Sequence, residues 1–364
     1  MIDPTRNTYS PPDVSPPGDT LRELLEERGL SQADLAERMG RPKKTISEIV
    51  NAKAALTPET ALELELVLGV SADFWNARER NNRAALARAE QAERLAADVT
   101  WAKSFPLRAM RQRGWLPESR DPSAIVRSVL EYFGVASRTQ WELLAMSAGV
   151  AYRKSTAFDA DPFALSAWLR RGEIEAQSVR TGPFDAAKFR SALVEARGMT
   201  REEPAAFVDQ VSALCAKAGV VVSFVPELPA SRVSGAARWL GSHRALIQLS
   251  HRYKTDDHLY FTFFHEAAHL LLHGKREVFL DTSVQEGREE HEANDWAADF
   301  LIPPTEFAAF VNAGDLRAEA LAKFAERLGI ALGIVVGRLQ HERTVPFSRF
   351  NALKRPVRWA DAVQ

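Results

Sequence analysis

Apolar positions recur at helical spacing through most of the chain and alternate at period two in one short region only. Near the N-terminus Leu21, Leu24 and Leu25 form the stripe of a first helix, with Thr20 and Glu23 reading as a capping box and Gly29 as its stop. A second short helix, capped by Ser31 to Asp34, carries Leu35, Ala36 and Met39 and closes at Gly40. A third follows Pro42 with Ile46, Ile49 and Val50 inward, a fourth runs from Thr57-Pro58 to Gly69, and a fifth is capped by Ser71. Helical patterning rich in aromatics continues from about 99 to 204. A further capping box is read at Thr200 to Glu203, ahead of a helix to about Lys217. Then 220–225, 236–240 and 245–250 read as strands, and a helix is predicted over 257–273 with Asp256 and Asp257 at its N-terminus and Gly274 at its end. The fold class expected is α+β and mostly helical. A helix-turn-helix bundle opens the chain, a helical region fills the middle, and a unit with a small sheet follows.

The expected boundaries are a disordered tail over 1–18, rich in proline, a DNA-binding module over 19–98, and a helical connector or sensor over 99–204. A domain over 205–345 and a basic tail over 346–364, with Lys354, Arg355 and Arg358, complete the division. A length of 364 residues supports two or three domains. The formal charge of -1 means that nucleic-acid affinity has to come from a local patch. The single cysteine, Cys215, excludes an intramolecular disulfide and sits in an apolar pattern with Val211 and Leu214, as a packed thiol does. With no basic apolar leader and no apolar run of membrane length, a cytoplasmic protein without a membrane span is expected.

The chemistry concentrates in His265-Glu266-Ala267-Ala268-His269. Histidines four apart share a helix face, so both imidazoles can hold one Zn²⁺, and the glutamate between them is placed to act as general base on an activated water. At this composition such a match arises by chance about 0.02 times per chain. Zinc needs a third protein ligand, and the segment from Glu289 to Pro304 offers Glu292, one turn before the inward-facing Trp296, with His291 as the second candidate. Two histidines and a carboxylate also suit Mn²⁺, Fe²⁺ or Co²⁺. His251, Tyr253 and His258 lie close in sequence as potential oxyanion donors, and the edge of the small sheet is a place for an extended substrate to pair.

The H-E-x-x-H motif, followed by Glu292-Ala293-Asn294 and Ala297-Ala298 before Leu301-Ile302-Pro303, resembles the ImmA/IrrE group of bacterial zinc metallopeptidases over roughly 205–345. Trp296 stands where phenylalanine is usual. The resemblance implies His265, His269 and Glu292 as ligands and Glu266 as base. Its implied substrate is a helix-turn-helix repressor or an antitoxin, with this chain itself among the candidates.

In the N-terminal module Arg41, Lys43, Lys44 and Lys53 against Glu48 make a basic third helix. Gln32, Lys43, Lys44, Thr45, Ser47, Glu48 and Lys53 are the expected contacts to DNA. Ser31-Gln32, Leu35-Ala36, Thr45-Ile46-Ser47, Asn51-Ala52-Lys53 and Phe74-Trp75 together resemble Xre/HigA-type regulators over 19–95. That implies operator binding as a homodimer. A departure lies around Ala54, where glycine is usual a residue or two earlier. The reading is thus a DNA-binding regulator fused to a zinc-dependent endopeptidase. The alternative is a HigA-like repressor whose metal domain senses or supports structure without significant proteolysis.

Overall fold

The computed structural model describes residues 15–144, 160–252, 254–274, 279–282 and 287–357. They fall into two compact units, one ending at Val99 and including Asp121–Ala124, the other holding the remainder.

The first unit contains helices α1 (Pro17–Glu27), α2 (Gln32–Arg38), α3 (Lys43–Val50), α4 (Pro58–Leu68) and α5 (Ala72–Ala97). Its core gathers Leu21, Leu35, Ile46, Leu64, Leu68 and Trp75, the stripes expected from spacing. Helix α1 starts ahead of the expected Thr20 cap, with Pro17 at its first position. Proline is tolerated there because the N–H it lacks would have had no intrahelical partner. Thr20 instead serves a distant contact, its hydroxyl accepting from Arg78 Nη2 at 2.7 Å. Gly18 lies against the backbone of Ile49 and Val50, where a Cβ would overlap their carbonyls. At α2 the capping box between Ser31 and Asp34 is formed in both directions. After α3 the chain turns with Ala52 at φ 56°, the left-handed position for which glycine is the usual choice. The expected tail over 1–18 lies outside the described residues up to position 14.

The second unit contains α6 (Val99–Ala102), α7 (Leu107–Gln112), α8 (Pro122–Phe133), α9 (Pro162–Ser178), α10 (Ala186–Met199) and α11 (Pro204–Ala216), the first residues of α6 and α8 being counted with the first unit. Strands β1 (Val220–Val225), β2 (Val233–Gly241) and β3 (Arg244–Ser250) follow, then α12 (Asp256–Leu272), β4 (Phe279–Thr282) and α13 (Arg288–Leu301). Helices α14 (Pro304–Asn312), α15 (Ala318–Leu328) and α16 (Leu332–His341) end the series. The sheet order is β1-β3-β2-β4, with β1 parallel to β3 and the other pairs antiparallel. Strand β4 has no counterpart among the strands expected from the sequence.

Both faces of the sheet are covered, which is why the strands read as nearly continuous apolar runs. Val221 and Leu246 meet Ala176 of α9 on one face. Val220, Val222, Ala237 and Ile247 join Phe207, Tyr260, Phe263 and Phe264 on the other. Helix α9 is tied to the sheet by Trp168 Nε1 donating to the Val225 carbonyl at 3.0 Å and by Gln248 Nε2 donating to the Trp168 carbonyl at 2.6 Å. The middle region therefore supplies a layer of this unit. The capping box read at Thr200 is not formed: α11 begins at Pro204, and Thr200 closes α10. The Thr200 hydroxyl donates to the Arg197 carbonyl and accepts from Ala331 N–H, so it joins two helices and caps neither start.

Helix α12 is the axis of the unit, buried from Asp256 to Leu270 on almost every side. Its first turn carries two buried carboxylates. Asp256 receives Arg355 Nε at 3.0 Å, and Asp257 pairs with Lys354 Nζ at 2.6 Å. These contacts absorb two charges of the C-terminal segment that the sequence suggested as a solvated or DNA-touching tail. Arg358 lies outside the described residues. Cys215 is fully buried, and burial pushes its thiol up to about 12. Among the described residues no helix is long and apolar enough to cross a membrane.

Candidate metal centre

Helix α12 presents His265 and His269 on one face with their Nε2 atoms 3.1 Å apart. Both side chains are about 1% exposed. The carboxylate that meets them belongs to Glu290 in the first turn of α13: its oxygens lie 3.2 Å from His265 Nε2 and 3.5 Å from His269 Nε2. The ligand-type atoms of these three residues all lie within 4.8 Å of one another.

This corrects the sequence expectation for the third position. Glu292 is turned away from the pair. It receives Arg288 Nε at 2.7 Å and faces His273 Nε2 at 3.4 Å. The reason is helical phase. Two residues of α-helix rotate a side chain by about 200°. Glu290 shares the i+3, i+7 and i+11 face with the buried Ala293, Ala297 and Leu301, whereas Glu292 follows the flank of Trp296 and Phe300. The signal was present in the spacing, since Ala293, Ala297 and Leu301 mark the innermost line. His291 is exposed.

The donor set fits a divalent metal. Two imidazoles and one carboxylate converge from two helices, the donor types a divalent metal takes. Burial holds His269 down at about 4, so its ring is neutral near pH 7. Burial raises the Glu290 carboxyl, but hydrogen bonds from His265 and His269 outweigh it and bring the group down to about 2, so it is ionised.

Glu266 is fully buried on the neighbouring side of α12, against strand β2. A Cβ built on Gly235 would lie 2.5 Å from Glu266 Oε1 and 2.8 Å from Thr262 Cγ2, so only glycine lets the strand approach this carboxylate. Gly235 pairs with Leu249 of β3 and with Asp281 of the outer strand β4. A cavity of about 410 Å³ lies nearer the N-terminal end of α12, lined among others by His258, Phe261, Leu301, Ile334 and Arg338, and none of His265, Glu266, His269 and Glu290 lines it. His258 and Phe261 stand seven and four residues before His265, on the same side of α12. Of the three suggested oxyanion donors, His258 lines this cavity, His251 is partly buried beyond β3, and Tyr253 lies outside the described residues.

Two regions of the chain match known families. Residues 215–340 match the IrrE N-terminal-like domain. Residues 21–75 match the Helix-turn-helix family. The chain thus carries a region similar to the Helix-turn-helix family near its start and a region similar to the IrrE N-terminal-like domain toward its end. Among curated proteins, the uncharacterized HTH-type transcriptional regulator YddM of Escherichia coli is 41% identical over 59 residues, 16% of this chain. Virulence-associated protein A of Dichelobacter nodosus is 44% identical over 61 residues, again 16% of this chain. The chain spans 63% and 60% of the lengths of these two relatives. A solved structure of the Pseudomonas aeruginosa antitoxin HigA with its higBA promoter is 28% identical, covering 22% of this chain and 90% of that one at a TM-score of 0.22. An addiction module antidote protein of the HigA family from Coxiella burnetii is 24% identical, with 22% and 90% covered and a TM-score of 0.21.

In the helix-turn-helix domain, Lys43, Lys44 and Lys53 are exposed, while Gln32, Thr45, Ser47 and Glu48 are partly buried. Lys44 lies 3.8 Å from Glu48, and Asn51 Nδ2 donates to the Ser47 carbonyl at 2.7 Å. Arg41, counted with the basic patch from its sequence position, is held by Glu63 of α4, with Nη2 donating at 3.0 Å. Its charge is neutralised within the domain.

Proposed function

We propose that this protein is a cytoplasmic DNA-binding regulator whose IrrE-like domain is a zinc-dependent endopeptidase acting on a repressor or antitoxin-like protein. The observation that supports the enzymatic half is the convergence of His265, His269 and Glu290 beside a buried Glu266. His265, His269 and Glu290 would hold Zn²⁺, which would supply a Lewis acid to activate water and polarise a peptide carbonyl. Glu266 takes the proton of the attacking water as the water oxygen bonds to the carbonyl carbon. It then passes that proton to the departing amine as the C–N bond breaks. Strand β4, at the edge of the sheet beyond Gly235, offers an extended peptide main-chain hydrogen bonds. The cavity one turn before His265 along α12, walled by Phe261, Leu301 and Ile334 together with Asp295, Arg338 and Lys354, offers room for a side chain of that peptide.

For the DNA-binding half, Lys43, Lys44 and Lys53 meet phosphates while Gln32, Thr45, Ser47 and Glu48 face base edges or position the helix. The module acts as a homodimer on a palindromic operator.

Elemental mass spectrometry on tag-free protein, with cleavage of a peptide library read in parallel, tests the enzymatic reading. The expected result is about one zinc per chain, lost in Glu290→Ala and kept in Glu266→Gln, with cleavage reduced by about 10²–10⁴ in Glu266→Gln. A protein that takes up no metal when zinc is supplied overturns the proposal. One that holds metal without any turnover returns the alternative of a repressor with a metal-sensing domain.

A further inference from the structure

His273 lies one turn beyond His269, outside the H-E-x-x-H motif, and its side chain is 6% exposed. Its Nδ1 is 2.9 Å from His269 Nδ1, and its Nε2 is 3.4 Å from Glu292 Oε2. Glu292 in turn receives Arg288 Nε at 2.7 Å. Four side chains from α12, its C-cap and α13 thus form one line that ends on the face of His269 opposite Glu290.

The protons along this line allow one consistent arrangement when Nε2 of His269 is given to a metal. A neutral His269 then carries its proton on Nδ1 and donates it to Nδ1 of His273. His273 must therefore carry its own proton on Nε2, the atom that faces the Glu292 carboxylate. Arg288 holds that carboxylate ionised and in place. Every donor in the line meets an acceptor, and no group has to change its charge.

We infer that His273 and Glu292 are positioning residues that lock His269 in the Nδ1–H tautomer and ring orientation needed to present Nε2 to the metal. The inference rests on the metal-centre reading above. It also gives Glu292 a role that its exclusion from the ligand set leaves open. Outer hydrogen-bond partners of metal-binding histidines raise the basicity of the ring and typically change metal affinity by about 10–100-fold when removed.

The test is Zn²⁺ affinity of the full chain, by competition with a chromophoric chelator, in wild type, His273→Leu, His273→Gln and Glu292→Ala. Leucine keeps the volume of His273 without polar atoms, whereas the glutamine amide can accept from His269 and donate to Glu292. The expected result is a loss of about 10–100-fold in His273→Leu, substantial recovery in His273→Gln, and about a 10-fold loss in Glu292→Ala. Because Glu292 is nearly half exposed, its replacement tests the line even where changes at His273 impair folding. Affinity within about twofold of wild type in both His273→Leu and Glu292→Ala overturns the inference and leaves the metal centre standing. Equal losses in His273→Leu and His273→Gln, with Glu292→Ala at wild-type affinity, also overturn it, since packing alone would then account for the effect. A wild-type chain that binds no zinc overturns the inference together with the reading beneath it.

Discussion

Two single residues show how closely side-chain chemistry and backbone geometry are coupled here. Gly235 faces Glu266 across a gap that a methyl group would close. Gly235→Ala is expected to displace the Glu266 carboxylate and to destabilise the domain by about 1–3 kcal/mol, as over-packing does in well-filled interiors. Urea unfolding and cleavage rates measured together check this, and a variant with unchanged stability and unchanged cleavage counts against the close approach. Ala52 presents the opposite case, a non-glycine residue at φ 56°. Ala52→Gly is expected to stabilise the helix-turn-helix domain by about 0.5–1 kcal/mol, because the left-handed conformation costs an L-residue roughly that much more than glycine. Thermal unfolding of the two proteins side by side reads the difference.

At the scale of elements, α12 and α13 divide the work of the centre. The first brings the two imidazoles and Glu266, the proposed base. The second contributes a single carboxylate from its opening turn, where an acidic residue also suits the helix dipole. Helix α3 carries charge differently. Its lysines are exposed, and Arg41 is committed to Glu63. Replacing Lys43, Lys44 and Lys53 by alanine one at a time is expected to lower the slope of log K against log salt by about 0.9 for each phosphate that is no longer neutralised. Fluorescence anisotropy on a duplex from the region upstream of the coding sequence measures it. Arg41→Ala is expected to leave that slope unchanged.

At the scale of the whole molecule, the buried centre makes metal-free protein sensitive to acid. His269 sits at about 4 in the folded chain against a usual 6.5, and Glu290 at about 2 against 4.5. Both folded values are depressed, so the unfolded chain takes up protons first as pH falls. The stability these groups contribute is present above the unfolded values and is lost between 6.5 and 4 for His269, then between 4.5 and 2 for Glu290. On the order of 2 kcal/mol from His269 is expected to disappear between pH 7.5 and pH 5 in the presence of a chelator. The two groups share one hydrogen-bonded cluster, so their effects are not summed. Zinc at a hundred times its dissociation constant is expected to add about 2.7 kcal/mol at pH 7.5. Urea titrations at the two pH values, with and without zinc, read both effects, and a flat profile in the metal-free protein argues against a neutral buried His269.

Much of this protein is legible along the chain because local rules govern it. The stripes of α1 to α4, the capping box at Ser31 and the two histidines four apart depend on residues within one or two turns, and periodicity is enough to find them. Three things depend on contacts between distant segments. Glu290, and not Glu292, reaches the histidines because the phase of α13 is set by how Ala293, Ala297 and Leu301 seat in the core. Strand β4 exists because β2 offers it an edge, a partner that its own four residues do not announce. The middle region becomes a layer of the second unit because Gln248 donates to the carbonyl of Trp168, eighty positions away, and the Trp168 indole donates to Val225. Sequence alone determined which residues could do chemistry here, since residue type and short spacing carry that information. Only the tertiary structure decided which of them meet, because the meeting depends on helix phase and strand pairing, which the packing of the whole unit sets.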